Sequence, residues 1–284
     1  MKTIESPRNP LIKEALAIKE RRGRPGAGAF LVEGPHLIEE AARRPSGGGP
    51  SLKRVFVTGR FAGREPGLIS AVERAGVEAV EVTERIMAAL TDTEAPQGIA
   101  AIASCRPASL GEVKAEGLVV VLDGVQDPGN LGAIVRTADA AGASAVIILP
   151  GTCDPFMPKA LRASAGSVFN LPLAFAAREE TALRLREAGV RVCAASPRAE
   201  LSVFDADLRP PVAIVFGNES RGLSPRMEEA AQVAVRVPIL GRAESLNVAA
   251  SAAVCLYEAV RQGSANGPEA RSGKKPGGKR GGAA

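Results

Sequence analysis

LVVVLDGVQDPGNLGAIVRTADAAG, residues 118–142, is the stretch on which the fold turns. Residues 118–123, LVVVLD, form a continuous, mainly apolar run rich in valine, the pattern of a strand covered on both faces. Asp127-Pro128-Gly129-Asn130 then reads as a tight turn. Beyond it Ile134, Val135, Ala138 and Ala141 recur on one side of a helix. Strand, turn and helix in that order open a βα unit. Four more runs, SAVIILP (144–150), VRVCAA (190–195), PVAIVFG (211–217) and VAVRVP (233–238), repeat the strand signal with helical segments between them. The expected C-terminal domain, 118–262, is therefore an α/β unit built on a parallel sheet.

Upstream, helix and strand alternate on a smaller scale. Helices are expected at 9–20, 35–44, 66–75 and 83–90, and strands at 29–33, 52–59, 77–82 and 97–104. These make a small α/β domain over 1–105, joined by a linker at 106–117. RRGRPGAG (21–28) and RRPSGGGPS (43–51) read as loops. Residues 263–284 have almost no apolar side chains and are read as a disordered basic tail.

Composition narrows the chemistry. No apolar run approaches the ~20 residues that span a bilayer, and the charged N-terminus lacks a signal-peptide core, so a soluble cytoplasmic protein without membrane partners is expected. Four scattered cysteines form no CxxC pair and read as small core residues in a reducing compartment. With a single histidine, His36, a Ser-His-Asp triad or a multi-histidine metal centre has little to build on, and no metal is expected. Scarce aromatics argue against an RNA surface built on base stacking. Net charge is +5, and basic residues crowd the two ends: seven against three acidic in 1–24, five against one in 263–284. Such ends suit a polyanion partner, and they also serve plain solubility.

Three segments begin at or just after strand ends, where open α/β sheets hold their ligands. In 122–142, Asn130 is placed to cap the following helix and Arg136 to lie near its first turn, an arrangement that would also hold a phosphate. In VFGNESRGLSP (215–225), Gly217 permits close backbone approach and Ser224-Pro225 starts a helix. Glu219 there either pairs with Arg221 or serves a site. In 237–262, Gly241, Ser245 and Asn247 lead into an alanine-rich helix that Asn247 would cap.

Taken together, NLGAIVRTADAAG, FGNESRGLS and ILGRAESLNVAASAAVCLYEA resemble, in order and spacing, the three motifs of the TrmH/SpoU family of the SPOUT superfamily. SPRNPLIKEAL and FLVEGPHLIEEA resemble the ribosomal-protein-like RNA-binding domain found in that family. The resemblance implies an RNA 2′-O-ribose methyltransferase with a trefoil knot in its C-terminal domain, acting as a homodimer whose active site draws on both chains. It implies S-adenosylmethionine as cofactor, against Gly217, Asn218, Ile239, Leu240, Ser245 and Leu246. It assigns substrate positioning and catalysis to Asn130, Arg136, Glu219, Ser245 and Asn247. A guanidinium holds its proton at neutral pH, which favours Arg136 as a phosphate clamp; a role as base stays open. RASAGSVFNLPLA (162–174) also resembles the family, although Ser164, Gly166 and Ser167 read as loop and helix-end residues. By analogy large-subunit rRNA is favoured as substrate over tRNA. A noncatalytic RNA-binding or ribosome-assembly protein is the rival reading. A dinucleotide oxidoreductase is disfavoured, because no GxGxxG follows the first strand of either domain.

Overall fold

A computed structural model describes residues 2–20, 28–43, 50–104 and 107–264. Cys105, most of the two expected loops and residues 265–284 of the expected tail lie outside them.

The N-terminal half runs β1 (Lys2–Ile4), α1 (Pro10–Glu20), β2 (Ala29–Glu33), α2 (Pro35–Ala42), β3 (Ser51–Thr58), α3 (Gly59–Arg64), α4 (Pro66–Arg74), β4 (Glu78–Val82), α5 (Glu84–Leu90) and β5 (Ile99–Ser104). Its sheet has the order β1-β4-β3-β5-β2, with β5 antiparallel to both neighbours and the other pairs parallel. Threonines set two helix starts: Thr58 accepts from the Phe61 N–H and Thr83 from the Ile86 N–H. His36 lies exposed on α2.

The C-terminal half runs β6 (Leu118–Asp123), α6 (Pro128–Ala140), β7 (Ala145–Ile148), α7 (Pro158–Ser164), β8 (Leu173–Phe175), α8 (Arg178–Glu187), β9 (Arg191–Ala195), β10 (Leu201–Ser202), β11 (Val212–Gly217), α9 (Pro225–Ala230), β12 (Val233–Arg236) and α10 (Val248–Ser264). Seven parallel strands stand in the order β10-β12-β9-β11-β6-β7-β8. The central pair, β11 and β6, is buried at every residue, as strands covered on both faces require. Their register runs from Val212 opposite Leu118 to Gly217 opposite Asp123, so both strands release their chains at the same edge.

Four local expectations need correction. Asp127, not Asn130, caps α6: its Oδ1 accepts the Asn130 N–H at 2.9 Å, and Pro128 opens the helix, where a missing N–H costs nothing. With the helix starting that early, Arg136 falls in its third turn and is exposed. Residues 107–117 are not a bare connector. Ala108 pairs with Ala174 of β8, a Ser109–Glu112 capping box closes a turn of 3₁₀ helix, and Leu110 and Val113 are buried. In addition, α10 continues two residues into the stretch read as tail.

The two halves share apolar contacts. Phe30 of β2 stacks on Phe156 with centroids 4.4 Å apart, and Phe169 lies 6.2 Å away. Gly166, at φ 95°, faces Glu40 of α2 so closely that a Cβ there would lie 2.8 Å from its Cγ. Among the described residues no helix is long and apolar enough to cross a membrane.

Candidate active site

The shared edge of β6 and β11 carries two loops that face each other. After β11, residues 218–222 form a hairpin in which the Asn218 and Gly222 backbones exchange hydrogen bonds of 2.9 Å. The Asn218 Oδ1 accepts the Ser220 and Arg221 N–H groups inside the hairpin. Its Nδ2 donates to the Gly124 carbonyl on the loop after β6. Gly217 is glycine for a local reason, since a Cβ there would lie 2.5 Å from the Gly222 carbonyl carbon.

Glu219 projects from this hairpin toward α6. Its Oε1 accepts from Asn130 Nδ2 at 3.0 Å and its Oε2 from the Gln126 N–H at 3.3 Å. The expected alternative, a pair with Arg221, does not form. Burial alone would raise the Glu219 pKa, but the Asn130 side chain and nearby backbone N–H groups outweigh it, and the carboxyl is held below its ordinary value.

Asn247 completes the cluster from the third segment. Its Nδ2 donates to Asn130 Oδ1 at 2.9 Å, while its own Oδ1 accepts the Ala249 and Ala250 N–H groups and so caps α10 as expected. Glu219, Asn130 and Asn247 thus form one hydrogen-bonded line across three loops. The carboxylate fixes the Asn130 amide orientation, and that orientation in turn fixes Asn247. Asp127 buttresses the line from below. Lys159 Nζ reaches its Oδ2 at 2.6 Å and, with the Asn130 N–H, lowers its pKa.

Beside this line lies a cleft of about 400 Å³. Gly217, Asn218, Ile239, Ser245 and Leu246 all line it, on a floor that includes Phe216 and Cys255. Leu240 does not line it; its side chain is 99% exposed. Ser245 borders the cleft without joining the Asn130 line, and Arg136 stands outside both. Of the eleven-residue loop 237–247, the apolar Val237, Ile239 and Leu246 and the polar Ser245 and Asn247 line the cleft. A shallower groove of about 770 Å³ opens among Arg186, Arg191, Asp207 and Arg209, at the opposite edge of the sheet. The strand carboxyl ends, rather than size, single out the smaller cleft.

Sequence reasoning missed several contributors. Asp127 was legible as a cap, because aspartate before proline is a helix-start signal. Ser196, Pro197 and Arg198 after β9 form a cleft wall that no motif marks. Ser164 ends α7, and Gly166 and Ser167 open a 3₁₀ turn, in keeping with their plain reading. Among the described residues no group of three or more His, Cys, Asp or Glu could hold a metal ion.

Comparison with known proteins gives two matches of family type. Residues 117–257 match the SpoU rRNA Methylase family, and residues 9–101 match the MRM3-like substrate binding domain. A 23S rRNA (guanosine(2553)-2′-O)-methyltransferase, RlmP of Bacillus subtilis, is 34% identical over 90% of this chain and 98% of its own length. An AdoMet-bound rRNA methyltransferase from Sinorhizobium meliloti superposes with a TM-score of 0.80 at 33% identity, over 92% of this chain and 97% of that one. An RNA 2′-O ribose methyltransferase gives a TM-score of 0.72 at 37% identity, over 92% and 98%.

Proposed function

The chain belongs to the SpoU rRNA methylase family, and on that premise we propose that it methylates a ribose 2′-hydroxyl of large-subunit ribosomal RNA, with S-adenosylmethionine as methyl donor. The observation that carries this reading is the Glu219–Asn130–Asn247 line running beside a cleft at the strand carboxyl ends.

The cleft fits the cofactor. Its size lies in the range of small-molecule sites, and its lining combines apolar side chains with loop backbone, as an adenine and a polar amino-acid tail require. Gly217, Asn218, Ile239, Ser245 and Leu246 would hold it; Leu240 offers no side chain. Once bound, S-adenosylmethionine supplies a methyl group activated by a sulfonium.

The protein then has to place a ribose oxygen and exclude wrong orientations. Asn130 and Asn247 carry neutral amides, which orient and cannot take a proton. Glu219 has both oxygens engaged and a depressed pKa, so its part is to lock Asn130 rather than to act as base. Ser245, at the cleft border, would contact substrate or cofactor through its hydroxyl. Arg136 would clamp the RNA phosphate.

Arg136 lies apart from the line in its own chain, which agrees with an active site assembled across a homodimer. The apolar exposure of Leu240 and of Tyr257 on α10, 50% exposed, supports the same assembly. The trefoil knot belongs to this reading as well: α10 packs back on α6 while Asn247 reaches Asn130 from a loop far along the chain. A ribosomal RNA substrate supports the reading of a cytoplasmic protein.

Transfer from methyl-labelled S-adenosylmethionine to unmodified rRNA and tRNA tests the substrate. Label entering large-subunit rRNA is the expected result. Label confined to tRNA would overturn the substrate assignment, and cofactor binding without transfer to either RNA would favour the noncatalytic reading.

A further inference from the structure

Asp123 is among the most deeply buried carboxyl groups of the described residues, at 2% exposure, and the mechanism above makes no use of it. It ends β6, directly opposite Gly217 at the end of β11. Its Oδ2 accepts both the backbone N–H and the hydroxyl of Ser224, at 2.7 and 2.6 Å. Its Oδ1 accepts Arg178 Nε at 2.8 Å, and Arg178 also donates to the Pro150 carbonyl. One side chain thereby ties together the end of β6, the base of the 218–222 hairpin and the start of α8.

Two features mark this as more than a strand-end contact. Ser224 occupies the N-cap position of α9, yet its hydroxyl makes no cap bond and turns to Asp123 instead. The next residue, Gly124, takes φ 84°, receives Asn218 Nδ2 on its carbonyl, and donates its N–H to Thr152 Oγ1. Asp123 and Gly124 therefore hold both ends of the hairpin that carries Glu219. Desolvating a carboxylate is costly, and an apolar pair would pin a strand end at less expense. A carboxylate, in contrast, offers several directed acceptor sites at once, which a rigid placement needs.

We propose that Asp123 is a positioning residue: acting through Ser224, it sets the distance of the Glu219 hairpin from Asn130, and hence the alignment of the reacting ribose. The inference rests on the methyl-transfer reading above. Asp123 itself reaches no substrate, since both its oxygens are occupied and buried.

Asp123→Asn and Ser224→Ala test it in the full chain, read by kcat and KM for RNA, by thermal melting, and by amide hydrogen exchange at Asn218 and Gly222 without cofactor. In Asp123→Asn the amide group confronts a donor, so exchange at both positions should accelerate and kcat should fall up to about 100-fold, the scale of a small misplacement of reacting groups. KM should stay within about twofold, as for an interaction felt only in the transition state. Ser224→Ala should shift both readouts the same way by less, and the double variant should be no worse than Asp123→Asn, because the two act as one unit. Wild-type exchange and kcat with only a lowered melting temperature would overturn the proposal. If Asp123→Asn does not fold, Ser224→Ala decides by the same readouts, since it deletes a hydroxyl that caps nothing. A wild-type protein that transfers no methyl would fail the functional reading, while hydrogen exchange would still decide the hairpin placement.

Discussion

Asn247 uses its two amide atoms for different ends: Oδ1 caps α10, and Nδ2 holds Asn130. Asn247→Asp separates them. The carboxylate keeps an acceptor for the Ala249 N–H and gains from the helix dipole, whereas the donor to Asn130 is lost. Melting temperature should change little, because the gain at the helix start offsets two acceptors left facing each other, while methyl transfer falls at least about tenfold, the scale of one lost orienting contact. Asn247→Ala, by comparison, should also cost about 1 kcal/mol in denaturant unfolding through the missing cap. Activity retained in Asn247→Asp would remove the Asn130 contact from the mechanism. The residue types of this line were legible in the sequence, because each sits just past a strand or before a helix. Their mutual contacts were not: Asn130 and Glu219 are 89 positions apart, and no local pattern encodes which loops meet. Asn130 was misread as a cap because Asp127 and Pro128 start the helix three residues sooner.

The elements were easier to read than their pairings. The buried strands of the larger sheet announce themselves as valine and isoleucine runs, and β6 matched its expected range of 118–123. β1, β8 and β10 did not stand out, since two or three residues carry too little periodicity for recognition. Helix packing was also silent in the pattern. Gly132 lies where α6 crosses α7, and a Cβ there would lie 2.7 Å from Ala163 Cβ and 2.9 Å from Ser164 N, and would strike the Ala160 carbonyl. Backbone cannot yield as a flexible side chain does. Gly132→Ala should therefore destabilise the protein by about 1–3 kcal/mol, although alanine is the better helix former. Urea unfolding at constant m-value checks this; a stabilised variant would show that the helices can part without cost.

At the scale of the molecule, a sequence of strands implies a parallel sheet but leaves its order open. The order observed inserts β11 between β9 and β6, and this brings the loops after β6 and β11 to one edge. The hydrogen-bonded line of Glu219, Asn130 and Asn247 exists only because of that non-local arrangement. Contact between the halves was equally hidden, as Phe30, Phe156 and Phe169 come from three separate segments. The central claim is chemical: the methyl group goes to a ribose 2′-oxygen. Alkaline hydrolysis of RNA uses the free 2′-hydroxyl to break the adjacent phosphodiester, so a 2′-O-methyl group protects that bond. The direct measurement is to label RNA with this protein, digest it to completion with alkali, and separate the products by size. Label recovered in alkali-resistant dinucleotides is the predicted result; label released in mononucleotides would place the methyl on a base and contradict the account.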